Sequence, residues 1–215
     1  MEIIFQIAIL VMSVVVHEVS HGYAASYLGD PTARYAGRLT LNPLKHLDPF
    51  GSLIVPLLLI HTGFIFGWAR PVPVNPYNLR GRYGEALVAL AGPLSNLLLA
   101  FLLGILTRTF PLEPELKHAL ITGIQQPHNF FETFFWIMGI TISINIVLAL
   151  FNLVPIPPLD GSKILFNLFP MAFAKAREAL ERYGFFILLI FVIFFWQVLT
   201  PLIGALFLLF TGLAF

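Results

Sequence analysis

Long stretches without charged residues alternate with short loops rich in Pro, Gly and Arg along this chain. A helix needs about 20 consecutive apolar residues to cross the hydrocarbon core of a bilayer. Five stretches approach or exceed that length, at residues 3–28, 50–69, 86–107, 133–159 and 183–215, and the first contains a polar cluster around His17 and Glu18. The pattern predicts an all-α polytopic membrane protein, folded as a single membrane-embedded domain over residues 1–215.

The charges of the connecting loops predict how the chain is oriented, because Lys and Arg accumulate on the cytoplasmic side of membrane proteins. Lys and Arg outnumber Asp and Glu in the loops 29–49, 70–85 and 160–182. The loop 108–132 instead carries three Glu against Arg108 and Lys117. Three loops are therefore predicted on the cytoplasmic side and one on the outer side.

The stretch 50–69 is flanked by two of the basic loops and is interrupted by Pro56, Gly63 and Gly67. A full crossing would place those two loops on opposite sides, so we predict a re-entrant segment that enters and returns on the cytoplasmic face. Broken backbone at membrane depth is tolerated where protein or a water-filled cavity surrounds it. Four full transmembrane helices remain, with the N-terminus outside. By length alone the stretch could also span the bilayer.

The composition agrees with a lipid environment. Hydrophobic residues make up 58% of the chain and charged residues only 11%, whereas a soluble domain carries about a quarter charged residues. The lipid bilayer is therefore a predicted partner. The net charge of +1 argues against nucleic acid, which requires concentrated basic residues. The chain contains no cysteine, which excludes disulfides and cysteine-ligated zinc sites.

The first apolar stretch carries the sequence His17-Glu18-Val19-Ser20-His21. Residues four apart lie on the same helix face, so both imidazoles can bind one metal ion. The neighbouring carboxylate of Glu18 can accept a proton from water. Ionisable groups inside an apolar span are costly and usually functional. A chance occurrence of the motif would leave these groups without compensating partners, so the sequence predicts a metal site.

A catalytic zinc ion usually has three protein ligands, and Asp160 is the candidate for the third. It follows the apolar stretch 133–159 and precedes a basic loop. With a re-entrant 50–69 segment, His17, His21 and Asp160 all lie near the cytoplasmic face, whereas five crossings would place Asp160 on the other side. Asp160 could also serve as a helix N-cap after the Pro-rich turn, a role that is compatible with metal binding.

Three motifs in this order resemble the site-2 protease family of intramembrane metalloproteases. They are HEVSH at 17–21, AGPLSN at 91–96 and FNLVPIPPLDG at 151–161, and the segments 42–51 and 67–76 are similar to the compact branch without extra soluble domains. The resemblance implies one Zn²⁺ per chain, bound by His17, His21 and Asp160, with Glu18 activating water. It also implies that Asn152 holds the substrate or stabilises the oxyanion.

The function implied by the resemblance is regulated intramembrane proteolysis. A zinc metalloendopeptidase in the cell membrane, with its active site near the cytoplasmic face, would hydrolyse peptide bonds in or near the transmembrane segments of membrane-protein substrates. Either the re-entrant segment or a short extended stretch after the first helix, at 32–41, is predicted to pair with the unwound substrate. Asn96, with Gly92 and Pro93, is predicted to pack the middle span against its neighbours.

Two other functions are compatible with the same residues. A metal transporter or channel could use the site as a transit site, but the adjacent Glu18 and the absence of a second ligand cluster in the sequence count against it. A catalytically inactive membrane scaffold of the same fold is the other alternative, and the presence of every expected catalytic residue counts against that.

Overall fold

The computed structural model of the protein describes residues 2–48 and 70–214, and within these ranges the chain forms helices and connecting loops without strands. The α-helices are α1 (Glu2–Tyr27), α2 (Thr32–Tyr35), α3 (Gly84–Thr109), α4 (Pro114–Ile121), α5 (Phe130–Asn152), α6 (Asp160–Leu168) and α7 (Ala174–Thr211). Short 3-10 turns lie at Pro43–Lys45 and Pro76–Asn78. For the described residues, the predicted all-α architecture is confirmed.

Three helices of the described part are long and apolar enough to cross a membrane. They are α1, α3 and α5, with 25, 26 and 23 residues in their apolar spans. Helix α7 bends by 71° between its two halves, Ala174–Val192 and Gln197–Thr211, which together would make a fourth span. Pro201 lies inside the second half, beyond the bend.

Helix α3 lies between α1 and α5 and is antiparallel to both. The hydrophobic core of this bundle is built where α3, α5 and α7 meet, from Ala100, Ile142, Ile146, Ile203 and Phe207, all buried. Small residues let α3 approach its neighbours closely: a Cβ on Gly104 would lie 2.7 Å from the Cβ of Phe210 on α7.

The two basic residues of the 108–132 loop have a structural role. Arg108 donates to the carbonyls of Leu209 and Phe210 at the end of α7. The buried Lys117 donates to the carbonyls of Thr107 and Arg108 at the end of α3, at 3.1 and 3.3 Å. Cations at helix C-termini satisfy free carbonyls and complement the helix dipole. The hydrogen bonds from Arg108 to Leu209 and Phe210 also show that the C-terminal ends of α3 and α7 lie on the same side of the bundle.

The predicted re-entrant segment, residues 50–69, lies outside the described residues, but both of its flanks are described. The backbone N–H of Arg70 donates to the carbonyl of His46 at 2.9 Å, and that of Arg80 donates to Leu28 at 2.8 Å. The chain therefore leaves and returns at the same end of the bundle, where α1 ends and α3 begins. This is the arrangement of flanks that the re-entrant prediction requires.

The predicted extended stretch at 32–41 is wrong for its first half. Residues Thr32–Tyr35 form a helical turn, and Gly37 ends it with a φ of 64°. The cause is local: the carboxylate of Asp30 accepts hydrogen bonds from the backbone N–H and the hydroxyl of Thr32, an arrangement that favours a turn over extended backbone. Residues 38–41 are not helical and form no strand with any described residue.

The buried Asp30 joins this turn to the segment before α3. Its carboxylate accepts hydrogen bonds from the backbone N–H of Asn75 at 2.7 Å and from the amide of Asn78 at 2.9 Å, in addition to those from Thr32. Burial alone would raise the pKa of Asp30, but the hydrogen bonds from Asn78, Thr32 and Asn75 outweigh it and lower the pKa below its ordinary value. The ionised carboxylate therefore stabilises the fold.

Replacing Asp30 with Asn is expected to lower the free energy of unfolding at pH 7 by about 2 kcal/mol, since hydrogen bonds to a charged acceptor are lost. Because the folded-state pKa is lowered, the stabilisation is complete above the unfolded pKa of about 3.9 and is lost as the pH falls through the folded-state pKa. Thermal unfolding in detergent between pH 7 and pH 3 measures both effects. A gap between the two proteins that stays constant down to pH 3 would contradict the assignment.

Candidate metal centre

His17 and His21 lie one turn apart on the same face of α1, as their spacing predicts. Their rings meet edge to face with centroids 4.7 Å apart. Asp160, the first residue of α6, faces both rings: its Oδ2 lies 3.0 Å from Nε2 of His17 and 3.1 Å from Nε2 of His21. All three residues are buried, and one ligand atom from each lies within 4.8 Å of the others. The structure thus brings together the three ligands predicted from sequence.

Hydrogen bonds on the far side of each ring fix where the histidine protons are. Nδ1 of His17 lies 2.6 Å from Oδ1 of Asn96, and Nδ1 of His21 lies 2.7 Å from the carbonyl of Val88. A carbonyl oxygen can only accept, so in a neutral ring the proton is on Nδ1 and Nε2 carries a lone pair.

This tautomer makes the centre suitable for a cation. With both rings neutral, two Nε2 lone pairs and the carboxylate of Asp160 face one another at the distances given above, and such a set of acceptors is satisfied by a cation or by a proton. Two imidazoles and one carboxylate are a donor set that catalytic zinc uses, and a hydrogen-bonded Nδ1–H is the usual support of a zinc-binding histidine. The residues therefore fit zinc.

Gly92 on α3 leaves the space that an ion needs. A Cβ at this position would lie 2.5 Å from Nε2 of His21 and 2.6 Å from Nε2 of His17. Those are the two nitrogens that face Asp160, so any side chain at position 92 would fill the region next to the ligand atoms. The lack of a side chain at Gly92 therefore serves the candidate metal centre as well as the packing of α3 against α1.

Glu18 is half-buried, and its carboxylate is held by the segment that precedes α3. The backbone N–H of Val72 donates to Oε2 of Glu18 at 2.9 Å. Arg38 fixes the same segment by donating to the carbonyl of Arg70 at 2.6 Å, and a Cβ on Gly22 would lie 3.0 Å from Cγ1 of Val72. The residues after position 70 therefore pack against α1 and anchor Glu18 next to the two histidines.

Asp160 is not the N-cap of α6. Leu159 occupies the cap position with an extended backbone, and Asp160 is in the first turn of the helix. The cap interpretation of Asp160 is therefore wrong, although a carboxylate in the first turn still interacts favourably with the helix dipole. Lys163 lies 3.2 Å from Oδ1 of Asp160, so the carboxylate oxygen that points away from the histidines is neutralised by a half-exposed cation.

Asn152 lies in the last turn of α5 and is half-buried. Its amide donates to the carbonyl of Leu148, one turn earlier, at 2.9 Å. The structure therefore shows this side chain bound to its own helix, and the catalytic role of Asn152 stays a prediction.

Sequence reasoning missed the part played by two buried asparagines. The sequence predicts a packing role for Asn96, but its side chain also accepts the hydrogen bond of His17. Asn145 on α5, which was not singled out, accepts a hydrogen bond from Asn96 at 2.7 Å. Both are fully buried. The available signal was the position of Asn145 in a charge-free span, where a polar side chain needs a partner.

Comparison with known proteins gives results in line with this geometry. A family profile described as Peptidase family M50 matches residues 5–194. A predicted zinc metalloprotease of Bacillus subtilis, YwhC, is 43% identical over 84% of this chain and 76% of its own length. A second, Rip2 of Mycolicibacterium smegmatis, is 34% identical over 88% of this chain and 67% of its own length. No solved structure matches.

Proposed function

The chain belongs to peptidase family M50, and from this premise we propose that it is an intramembrane zinc metalloprotease whose zinc ligands are His17, His21 and Asp160. The observation that carries the proposal is the convergence of two Nε2 atoms and one carboxylate in a buried site, with both Nδ1 atoms already bound elsewhere. The names of the relatives, which describe zinc metalloproteases, support the choice of zinc.

When bound, zinc supplies Lewis acidity toward water and a peptide carbonyl. Glu18 serves as the proton carrier: with Oε2 held by the N–H of Val72, Oε1 is the oxygen that we assign to accepting a proton from the attacking water. The same oxygen then delivers the proton to the leaving nitrogen. Asn152 donates an amide hydrogen to the developing oxyanion; its NH₂ group carries two hydrogens, of which one is donated to the carbonyl of Leu148.

The transporter alternative is not favoured. Among the described residues, the groups of His, Asp and Glu that could hold a metal comprise the single cluster of His17, His21 and Asp160. A transit pathway would need successive sites. The inactive scaffold is not favoured either, because the ligands and a held carboxylate at Glu18 are all present.

The proposed topology has four full spans, α1, α3, α5 and the bent α7, in the cell membrane. The metal centre then lies near the cytoplasmic face, and the substrate is a membrane protein whose transmembrane segment unwinds at the site. The three basic loops support this orientation. The hydrogen bond between Arg70 and His46 supports a return of the chain to the same face after residues 50–69.

Single cysteines at Tyr35 and Tyr77 are expected to react with an impermeant thiol reagent from the same side of oriented vesicles. Both side chains are highly exposed, 84% and 97%, and they lie on either side of the 50–69 segment. A cysteine at Ile124, which is 77% exposed at the other end of the bundle, should react from the opposite side. The native chain has no thiol to interfere. Labelling of positions 35 and 77 from opposite sides would contradict the proposed topology.

Zinc removal tests the proposed function directly. We expect the purified protein in proteoliposomes to cleave members of a panel of tagged single-span membrane proteins, with the new termini identified by mass spectrometry. Dialysis against a zinc chelator should remove cleavage, and zinc should restore it. Cleavage that persists in protein shown by elemental analysis to be metal-free would rule out the mechanism.

A further inference from the structure

A continuous run of buried side chains connects the metal site to the middle of α5. Nδ1 of His17 lies 2.6 Å from Oδ1 of Asn96, and Nδ2 of Asn96 donates to Oδ1 of Asn145 at 2.7 Å. Nδ2 of Asn145 in turn donates to the carbonyl of Thr141 at 2.8 Å and to Oγ of Ser13 at 2.9 Å. The relay, as we call these side chains, therefore crosses from α1 through α3 to α5.

Two backbone carbonyls set the direction of every hydrogen bond in the relay: that of Thr141, which Asn145 contacts at 2.8 Å, and that of Ser13, to which Nδ2 of Asn96 also donates at 3.3 Å. The carbonyl of Thr141 can only accept, so Asn145 must present its NH₂ group there. The carbonyl of Asn145 then faces Asn96, which must present its own NH₂ group in return. The carbonyl of Asn96 is left facing His17, and it can only accept the Nδ1 proton.

A reversed Asn96 amide would be unfavourable at both ends. Its oxygen would face the oxygen of Asn145, and its NH₂ group would face the Nδ1–H of His17. The histidine could relieve the second conflict only by moving its proton to Nε2, the nitrogen that faces Asp160. Buried groups without matched partners are costly. The orientation of the Asn96 amide therefore determines whether Nε2 of His17 carries a proton or a lone pair.

We propose that Asn145 is a positioning residue for zinc binding: its oxygen, the nearer of the two acceptors of the Asn96 NH₂ group, orients that amide together with the carbonyl of Ser13 and so keeps the proton of His17 on Nδ1. The inference rests on the proposed zinc site, and it adds a residue that contacts neither the ion nor a ligand. Because the relay joins three helices, Nε2 of His17 becomes competent only when α1, α3 and α5 are packed together.

The other histidine provides an internal comparison. Nδ1 of His21 donates directly to the backbone carbonyl of Val88. A backbone carbonyl cannot reverse, so His21 has a fixed tautomer without a relay. Disturbing Asn145 should therefore affect His17 and leave His21 unchanged.

The test compares two substitutions of Asn145 in two backgrounds, with zinc affinity measured in detergent by competition with a chromophoric chelator. Asn145→Leu should weaken zinc binding about tenfold or more, the usual effect of losing a support of a ligand. Asn145→Asp keeps an oxygen toward Asn96 and, as a protonated acid, can still donate to the carbonyl of Thr141, so it should bind zinc more tightly than Asn145→Leu does. In an Asn96→Asp background, Asn145→Leu should have little further effect, because either oxygen of an aspartate accepts the proton of His17.

The double variant separates positioning from a general packing defect. A packing defect would weaken zinc binding equally in both backgrounds, and that result would overturn the proposal, as would unchanged affinity in Asn145→Leu. If Asn145→Leu cannot be purified, the smaller Asn145→Ala replaces it in the same comparison. A wild type that binds no zinc would instead overturn the proposed function.

Side-chain ¹⁵N spectra of the histidine-labelled, zinc-free protein give a second measurement that does not depend on activity. We expect an Nδ1–H tautomer for His17 in the wild type and a mixture of tautomers in Asn145→Leu, with His21 unchanged in both. An unchanged His17 signal in Asn145→Leu would contradict the relay.

Discussion

Replacing Glu18 with Gln is expected to reduce cleavage by about a hundredfold or more, while zinc remains bound with nearly wild-type affinity. General acid–base catalysis contributes about 10²–10⁴ to the rate, and a glutamine side chain cannot accept a proton. The structure gives a reason for the shape to persist: the amide oxygen of Gln can still accept the hydrogen bond that the N–H of Val72 makes at 2.9 Å. Initial cleavage rates and zinc content, measured on the same preparations, test both parts.

Glu115→Gln is a matched control for the Glu18 experiment. It makes the same chemical change at an exposed residue of α4, at the other end of the bundle, and should leave both cleavage and zinc unchanged. A Glu18→Gln protein that retains a tenth or more of the wild-type rate would assign the proton carrier to another residue. Loss of zinc in that variant would show that Glu18 supports the metal site, so its catalytic role would need independent evidence.

The grouping of the three proposed metal ligands could be predicted from sequence because their arrangement follows from local rules. The spacing of His17 and His21 determines a common helix face, and the length of the charge-free stretches determines which segments can cross a bilayer. Asp160 required one further step, since it joins the other two only if the chain returns to the same face after residues 50–69. The hydrogen bond between His46 and Arg70 agrees with that step.

The surroundings of the ligands could not be predicted, because they depend on how helices are aligned with one another. Asn96 and Asn145 are 49 residues apart, and nothing in the sequence around either one indicates that they meet. The same is true of the N–H of Val72, which reaches Glu18 across 54 residues. Such contacts are set by packing of α1, α3 and α5, and a pattern within one helix does not contain them.

The error at residues 32–41 has a different origin. The extended stretch is predicted as a partner for an unwound substrate strand, but the carboxylate of Asp30 accepts the N–H of Thr32 and stabilises a helical turn. The same carboxylate also binds Asn75 and Asn78. The conformation of residues 32–35 therefore depends on the buried carboxylate of Asp30, which binds both this turn and the segment before α3.

Gly92→Ala is expected to weaken zinc binding about a hundredfold or more, exceeding the usual effect of losing a support of a ligand. The added methyl group would lie 2.5 Å from Nε2 of His21 and 2.6 Å from Nε2 of His17, closer than van der Waals contact allows. One or both imidazoles would have to move, and the space for the ion would be filled. Alanine favours a helix by about 1 kcal/mol over glycine, so α3 itself should not be weakened. Zinc affinity and the zinc-dependent rise of the unfolding temperature provide the measurements.

Gly104→Ala is the matched control for Gly92→Ala, because it adds the same methyl group to the same helix away from the metal centre. Its Cβ would lie 2.7 Å from the Cβ of Phe210, so the variant should unfold at a lower temperature while its folded form binds zinc as tightly as the wild type. Comparison of the Gly92→Ala and Gly104→Ala variants should thus separate an effect on helix packing from an effect on zinc binding. If Gly92→Ala bound zinc as tightly as Gly104→Ala, the ion could not lie against Nε2 of His17 and His21, and the assigned ligands would be wrong.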